Sequence, residues 1–161
     1  MSKGTIAIRP ARAGEGLALT ALCVRSKAHW GYDAEFMRLS TAALAVPEDD
    51  IGTGRVLVAA DAAGHLLGMA TVLGGDDTVD LDALFVDPPA IGSGAGRALF
   101  AAALDLARGL GARRMTILAD PNAAVFYERM GARFLRNAPS DAIPGRSLPL
   151  YEYDLTAGPR S

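Results

Sequence analysis

Apolar positions change their spacing along this chain, and the changes divide it into strands and helices. Ile6 and Ile8 alternate with Ala7 and Arg9, which predicts a first strand over residues 5–9, closed by Pro10. From Gly14 to Ala28, Leu17, Ala18, Ala21, Leu22 and Val24 recur at helical spacing. A second helix is predicted over residues 33–44, with Asp33 as its N-cap, and residues 47–54 read as a loop. Residues 55–60 and 66–73 are β-prone runs joined by the turn residues 61–64. A second turn at 74–77 leads into a third run, residues 78–86. After Pro88 and Pro89 a glycine-rich loop opens a helix to Leu110, with the stripe Leu99, Ala103, Leu106 and Leu110, and Gly111 suits its end. Residues 114–119 form a short strand. Asp120 and Pro121 read as the N-cap and first residue of a helix that Gly131 stops, and residues 133–137 and 150–155 are the last strands.

The predicted order is β-α-α-β-β-β-α-β-α-β-β. The strand–helix–strand unit across residues 81–119 implies one parallel pair with a crossover helix, and the rest is meander. The fold class is therefore α/β, with a mixed, mostly antiparallel central sheet and helices on both faces. Half of the 161 residues are hydrophobic and 21% are charged, which supports a single domain over 1–161 with a sizeable core. The formal net charge is −2 and no basic run stands out, which argues against a nucleic-acid partner. Cys23 is the only cysteine, no Cys/His set has metal-ligand spacing, and a reducing cytoplasm fits that usage. The apolar run 17–24 is too short to span a bilayer, so no membrane partner is expected.

The loop Ile91, Gly92, Ser93, Gly94, Ala95, Gly96 lies between a strand and a helix. Glycines there let backbone N–H groups share one concavity at a helix N-terminus, where phosphate is favoured, and Arg97 adds a cation. A nucleoside-triphosphate loop needs Gly-Lys-Ser/Thr, but Gly96 is followed by Arg97 and Ala98. A dinucleotide loop needs Gly-x-Gly-x-x-Gly after an early strand, but here the spacing is Gly-x-Gly-x-Gly after a three-strand meander. The pyrophosphate of coenzyme A is the third candidate.

The segment Leu84, Phe85, Val86, Asp87, Pro88 running into that loop resembles the pyrophosphate segment of the GNAT superfamily of acyl-CoA-dependent N-acetyltransferases. The segment from Asn122 through Phe126 and Tyr127 to Gly131 resembles the helix that follows it in that family, and the element order resembles the family along nearly the whole chain. The resemblance implies acetyl-CoA as cosubstrate and no metal. It implies a small-molecule or peptide amine as acceptor, and a possible homodimer. Where the family carries Arg or Gln, this chain has Ile91, which implies weaker cofactor affinity. A GNAT-like module that binds acyl-CoA without chemistry is the alternative reading.

Acyl transfer to an amine needs an oxyanion stabiliser, a route for the amine proton and an acid for the leaving thiolate. The resemblance places the thioester beside the end of the third meander strand, against the backbone of Leu84, Phe85 and Val86, and assigns the acid to Tyr127. Tyr127 lies about 100° round the helix from Phe126, so one of the two is expected in the core and the other in the cleft. Asn122 is a candidate for the pantetheine arm. Asp82 is the candidate general base. By alternation Asp80 and Asp82 share a face with Leu84 and Val86. Glu35 and His29 are weaker options for the base. Trp30 and Tyr32 are candidates to wall the acceptor pocket, and Arg146 to bind an acceptor carboxylate.

Overall fold

Val56, Leu57, Val58, Ala59 and Ala60 are all buried, so this strand must be covered on both faces. The computed structural model describes residues 5–157 and supplies those covers. Its order is β1 (Ala7–Pro10), α1 (Gly16–Ala28), α2 (Ala34–Leu44), α3 (Glu48–Gly52), β2 (Val56–Ala60), β3 (Leu66–Gly75), β4 (Thr78–Val86), α4 (Ala95–Gly109), β5 (Arg114–Leu118), α5 (Ala124–Arg129), β6 (Arg133–Pro139) and β7 (Ser147–Asp154). The seven strands form one sheet in the order β1-β2-β3-β4-β5-β7-β6, antiparallel except for β4 with β5. On one face Leu99, Phe100 and Ala103 of α4 pack with Ala59, Ala70 and Val72, and Tyr127 of α5 joins them. On the other face Leu19, Leu22 and Cys23 of α1 pack with Val56, Val58 and Met69.

The expected elements are present, with two local corrections. Residues 48–52 form a single helical turn where a loop was expected, a stretch too short to show a period. It has a structural task. The Glu48 carboxylate accepts the backbone N–H of Gly14 at 2.8 Å and of Gly16 at 2.7 Å, holding the positive end of α1. A Cβ on Gly16 would sit 2.5 Å from that carboxylate and 2.9 Å from the Val46 carbonyl oxygen, so a larger residue would displace the carboxylate and press on the backbone. This contact sets the phase of α1. The buried stripe is Leu19, Leu22 and Cys23, while Leu17 is 88% exposed and Ala18 and Ala21 also face out. Burial pushes the Cys23 thiol up to about 12, so it is an inert core group.

The correction with consequences lies in β4. Thr71 opposes Ala83 and Val72 opposes Leu81, so Asp82 is an extra residue, a β-bulge. Val79 and Leu81 face the α4 core before it, and Leu84 and Val86 face that core after it. Ala83 and Phe85 face α1. Asp80 therefore does not share a face with Leu84 and Val86, because the inserted residue shifts the alternation by one. β4 pairs with β5 only from Thr78 to Asp80, against Arg114 to Thr116. Beyond that point β5 stays with β7 while β4 leaves, and the sheet splays open.

Leu99 is fully buried between α4 and the sheet, and its side chain lies where a Cβ on Gly68 would clash. Leu99→Ala is expected to cost about 2–5 kcal/mol of stability. The check is denaturant unfolding, with a lower midpoint and an unchanged slope.

Candidate active site

A cleft of about 810 Å³ occupies the splay. It is lined by the glycine loop, the free edge of β4, helix α5, the C-terminal part of α2 and the loop between β6 and β7.

In the glycine loop, Gly92 and Gly94 have φ of +85° and +94°, and Gly94 is the N-cap of α4. The first bond of the helix runs from Ala98 N to Gly94 O at 3.0 Å, so the amides ahead of Ala98 have no carbonyl four residues back inside the helix. Ser93 Oγ accepts one of them, from Ala95, at 3.2 Å. Ile91, Gly92, Gly94, Gly96 and Arg97 line the cleft. Ser93 and Ala95 do not: Ser93 caps locally and Ala95 is buried in the core. Arg97 is exposed and makes no ion pair among the described residues. Ile91 is 52% exposed.

Just past β4, Asp87 N donates to Leu67 O at 2.8 Å. Alternation along β4 then turns the Phe85 amide toward β3 and the Leu84 and Val86 amides away from it, into the gap that β5 has left. Leu84 and Val86 are thus the backbone donors that can face a ligand, and Phe85 offers only its side chain.

Phe126 and Tyr127 both line the cleft, contrary to the division expected from their helical offset. α5 has only six residues, and both of these side chains border the cleft. The Phe126 ring lies about 3.5 Å from where a Cβ on Gly96 would stand, which fixes α5 against the first turn of α4. Tyr127 is only 5% exposed, and no side chain or backbone group among the described residues bonds to its hydroxyl. Burial, then the charges of Asp120 and Asp80, push its phenol far above the ordinary value.

A polar cluster braces the wall beside it. Asp120 caps the turn before α5 through Asn122 N at 2.9 Å, as expected. It also receives Lys27 Nζ at 2.7 Å and the Tyr32 hydroxyl at 2.9 Å. Burial raises the Asp120 carboxyl, but bonds from Lys27, Asn122 and Tyr32 outweigh that and hold it below the usual range. The Asn122 side-chain amide donates to Tyr32 Oη at 3.1 Å and to Asp120 at 2.9 Å. Arg146 donates to Tyr32 Oη at 2.9 Å and lies over the Tyr32 ring. Tyr32 itself stacks on Phe36 at 3.9 Å and is not part of the cleft wall. Trp30 is part of it, 47% exposed. Arg146 lines the cleft, although it is half-buried in this cluster rather than a solvated loop charge. Lys27 and the bracing role of Asp120 were missed in the sequence, because their partners lie 88 and 93 residues away along the chain.

Asp80, Asp82 and Asp141 also line the cleft. Thr116 Oγ1 donates to Asp80 at 2.8 Å. Burial pushes the Asp80 carboxyl up, the Thr116 bond opposes this, and Asp141 adds to it. Asp82 is open to solvent through the cleft, yet the protein mass around it, then Asp80, Asp50 and Asp141, also raise its carboxyl. Glu35 pairs with Arg38 and His29 packs edge-on to Trp30, and neither lines the cleft. Asp141 carried no signal beyond its place between two strands. No group of three or more His, Cys, Asp or Glu among the described residues could hold a metal ion. No helix among them is long and apolar enough to cross a membrane.

A family model described as acetyltransferase (GNAT) family matches residues 25–132, which carry the bulge, the splay, the glycine loop and α5. The chain belongs to this family. Among solved structures, it is similar to a GCN5-related N-acetyltransferase from Rhodopseudomonas palustris, at 25% identity and TM-score 0.74, covering 96% of this chain and 98% of that one. The PaiA N-acetyltransferase of Thermoplasma acidophilum, solved with coenzyme A, shares the fold at TM-score 0.77 and 14% identity, covering 93% and 99%. YncA of Salmonella typhimurium, solved with acetyl-CoA, shares it at TM-score 0.66 and 23% identity, covering 94% of both chains. A search of curated proteins finds no match.

The raised Asp80 carboxyl has a consequence for stability. Its folded value lies above its unfolded one, so the folded state holds the proton more tightly, and stability falls as pH rises from about 4 through the folded value. Asp80→Asn removes this dependence. Its unfolding temperature relative to the parent is expected to be more favourable at pH 7 than at pH 3.5, as thermal melts at the two pH values will check.

Proposed function

We propose that the protein transfers an acetyl group from acetyl-CoA to a primary amine by direct attack within a ternary complex. One observation carries this reading: a buried tyrosine whose hydroxyl has no partner among the described residues, beside a strand edge whose Leu84 and Val86 amides face the same cleft. The residues present fit the cosubstrate. The first-turn amides of α4 and the unpaired Arg97 suit its pyrophosphate, and the β4 edge suits its amide-bearing arm. The coenzyme A of PaiA and the acetyl-CoA of YncA, bound to chains of this fold, support the same choice. When bound, acetyl-CoA supplies an activated acyl carbon as a thioester.

The protein's own groups then divide the work. The Leu84 and Val86 amides hold the acyl oxygen and the arm in register. Asp82, with its raised carboxyl, takes a proton from the attacking amine, directly or through water. As the C–N bond forms and the C–S bond breaks, Tyr127 gives its proton to the departing sulfur. A thiol near pKa 8.5 is a fair leaving group that needs little help, and burial keeps the phenol protonated, so it stands as a hydrogen-bond donor to the sulfur as charge builds there. Once solvent has carried the proton from Asp82 back to Tyr127, the sum is one proton moved from nitrogen to sulfur, with no covalent enzyme intermediate. Cys23, the only cysteine, is sealed in the core and cannot serve as a nucleophile. Lys27, Tyr32, Asp120 and Asn122 are positioning residues that fix the turn carrying α5.

A second reading, an acyl-CoA-binding module without chemistry, is favoured by one observation, the apolar Ile91 at the mouth of the loop. Tyr127→Phe decides between them. It keeps the ring and removes the proton. The enzyme reading predicts a fall in kcat of about 100-fold or more with an unchanged Kd for acetyl-CoA, read by thiol release and calorimetry. Acetyl-CoA binding to the parent with no thiol release on any amine is the outcome expected of a module.

A further inference from the structure

The two strands that part at the splay end in the same way. Asp87 follows β4 and Asp120 stands just past β5, each before a proline that opens a short helical turn. Their backbones match, at φ −60° and ψ 135° for Asp87 and φ −61° and ψ 136° for Asp120. The first turn leads into the glycine loop, the second into α5 and Tyr127. The side chains are used differently. Asp120 caps its own turn, whereas the Asp87 carboxylate does not cap its turn and gives both oxygens to Arg25, whose Nε and Nη2 each donate at 3.0 Å. Lys27 donates to Asp120 at 2.7 Å. Arg25 and Lys27 both belong to the last turn of α1. Two residues apart, they point about 200° apart round the helix axis, so one reaches each side of the gap. Ser26, between them, lines the cleft. On the opposite face of the sheet the Phe126 ring beside Gly96 already ties α5 to the glycine loop. On the α1 face Arg25 and Lys27 join the same two turns through one helix end.

We propose that the last turn of α1 is a clasp across the splay, in which Arg25 on Asp87 and Lys27 on Asp120 fix the spacing between the glycine loop and Tyr127. This rests on the acetyltransferase reading above, in which one molecule of acetyl-CoA meets the loop with its pyrophosphate and Tyr127 with its sulfur. Groups that one ligand must bridge lose much of their effect when misplaced by about 1 Å. Neither Arg25 nor Asp87 lines the cleft, so both act as positioning residues. Arg25 is 53% exposed, and an ion pair so placed adds little to global stability. Arg25→Gln is therefore expected to melt close to the parent.

The test places spin labels at Ile91→Cys and Val125→Cys, which are 52% and 57% exposed, while Cys23 is sealed in the core and takes no label. The distance between the labels is measured by pulsed electron resonance without ligand. The labelled protein carries Arg25→Gln, Lys27→Met, Lys27→Arg, or the exchange of Arg25→Asp with Asp87→Arg. The exchange leaves the turn intact because the Asp87 carboxylate does not cap it. The expected result is one narrow distance in the parent, a broader distribution in Arg25→Gln and in Lys27→Met, and the parent's distribution in Lys27→Arg and in the exchange. Calorimetry on the unlabelled proteins is expected to show acetyl-CoA bound about tenfold more weakly by Arg25→Gln and by Lys27→Met. Affinity for the nucleotide half of coenzyme A, which carries the pyrophosphate and lacks the thioester arm, is expected to stay at the parent's value. A distribution that neither substitution broadens, an exchange that behaves like Arg25→Gln, or equal weakening of both ligands overturns the clasp and leaves acetyl-CoA binding by the parent standing. Broadened distances in a protein that binds no acetyl-CoA support the clasp and overturn the acetyltransferase reading instead.

Discussion

The extra residue at Asp82 is the constraint on which the cleft depends. A bulge bends its strand and strengthens the local twist, so β4 cannot follow β5 once it has passed Asp80. β5 has a second partner in β7 and stays with it. The departure leaves a strand edge inside the protein, with the Leu84 and Val86 amides turned into open space. An unpaired edge is normally a liability, and here it is covered from both sides, by α1 across the Arg25–Asp87 ion pair and by α5. The same bulge moves Asp82 out of the strand's alternation and into the cleft wall.

Two helix N-termini are handled in opposite ways. That of α1 is closed by the Glu48 carboxylate, which satisfies two amides and leaves no room for a ligand. That of α4 has no acidic residue in its first turn, only glycines and the unpaired Arg97, and it lies at the mouth of the cleft. A positive helix end without a protein anion is the physical difference between a structural cap and an anion site.

Most of the architecture was legible because it rests on local pattern. Alternation and turn residues marked the meander, Asp33 and Asp120 marked helix starts, and Gly111 and Gly131, both with positive φ, marked helix ends. The glycine loop and the Phe126–Tyr127 pair were legible as motifs. What was not legible depends on contacts between distant residues. The bulge leaves no mark in the spacing of apolar residues, so Asp80 was set on the wrong face. The buried stripe of α1 takes Leu19, Leu22 and Cys23 and leaves Leu17 out, a choice made by which side of the helix meets the sheet. Tyr32 looked like a pocket residue because it is aromatic near the expected cleft, yet it is drawn into the Asp120 cluster, and Arg146 both joins that cluster and lines the cleft.

The central claim is that the first turn of α4 holds the pyrophosphate of acetyl-CoA. Calorimetric titration of acetyl-CoA into the protein and into Arg97→Glu tests it most directly, since Arg97 is exposed and unpaired and its replacement leaves the core untouched. Micromolar binding that weakens about tenfold or more in the variant is the predicted result. No binding to the parent at micromolar concentrations, or equal binding to both, would contradict the account.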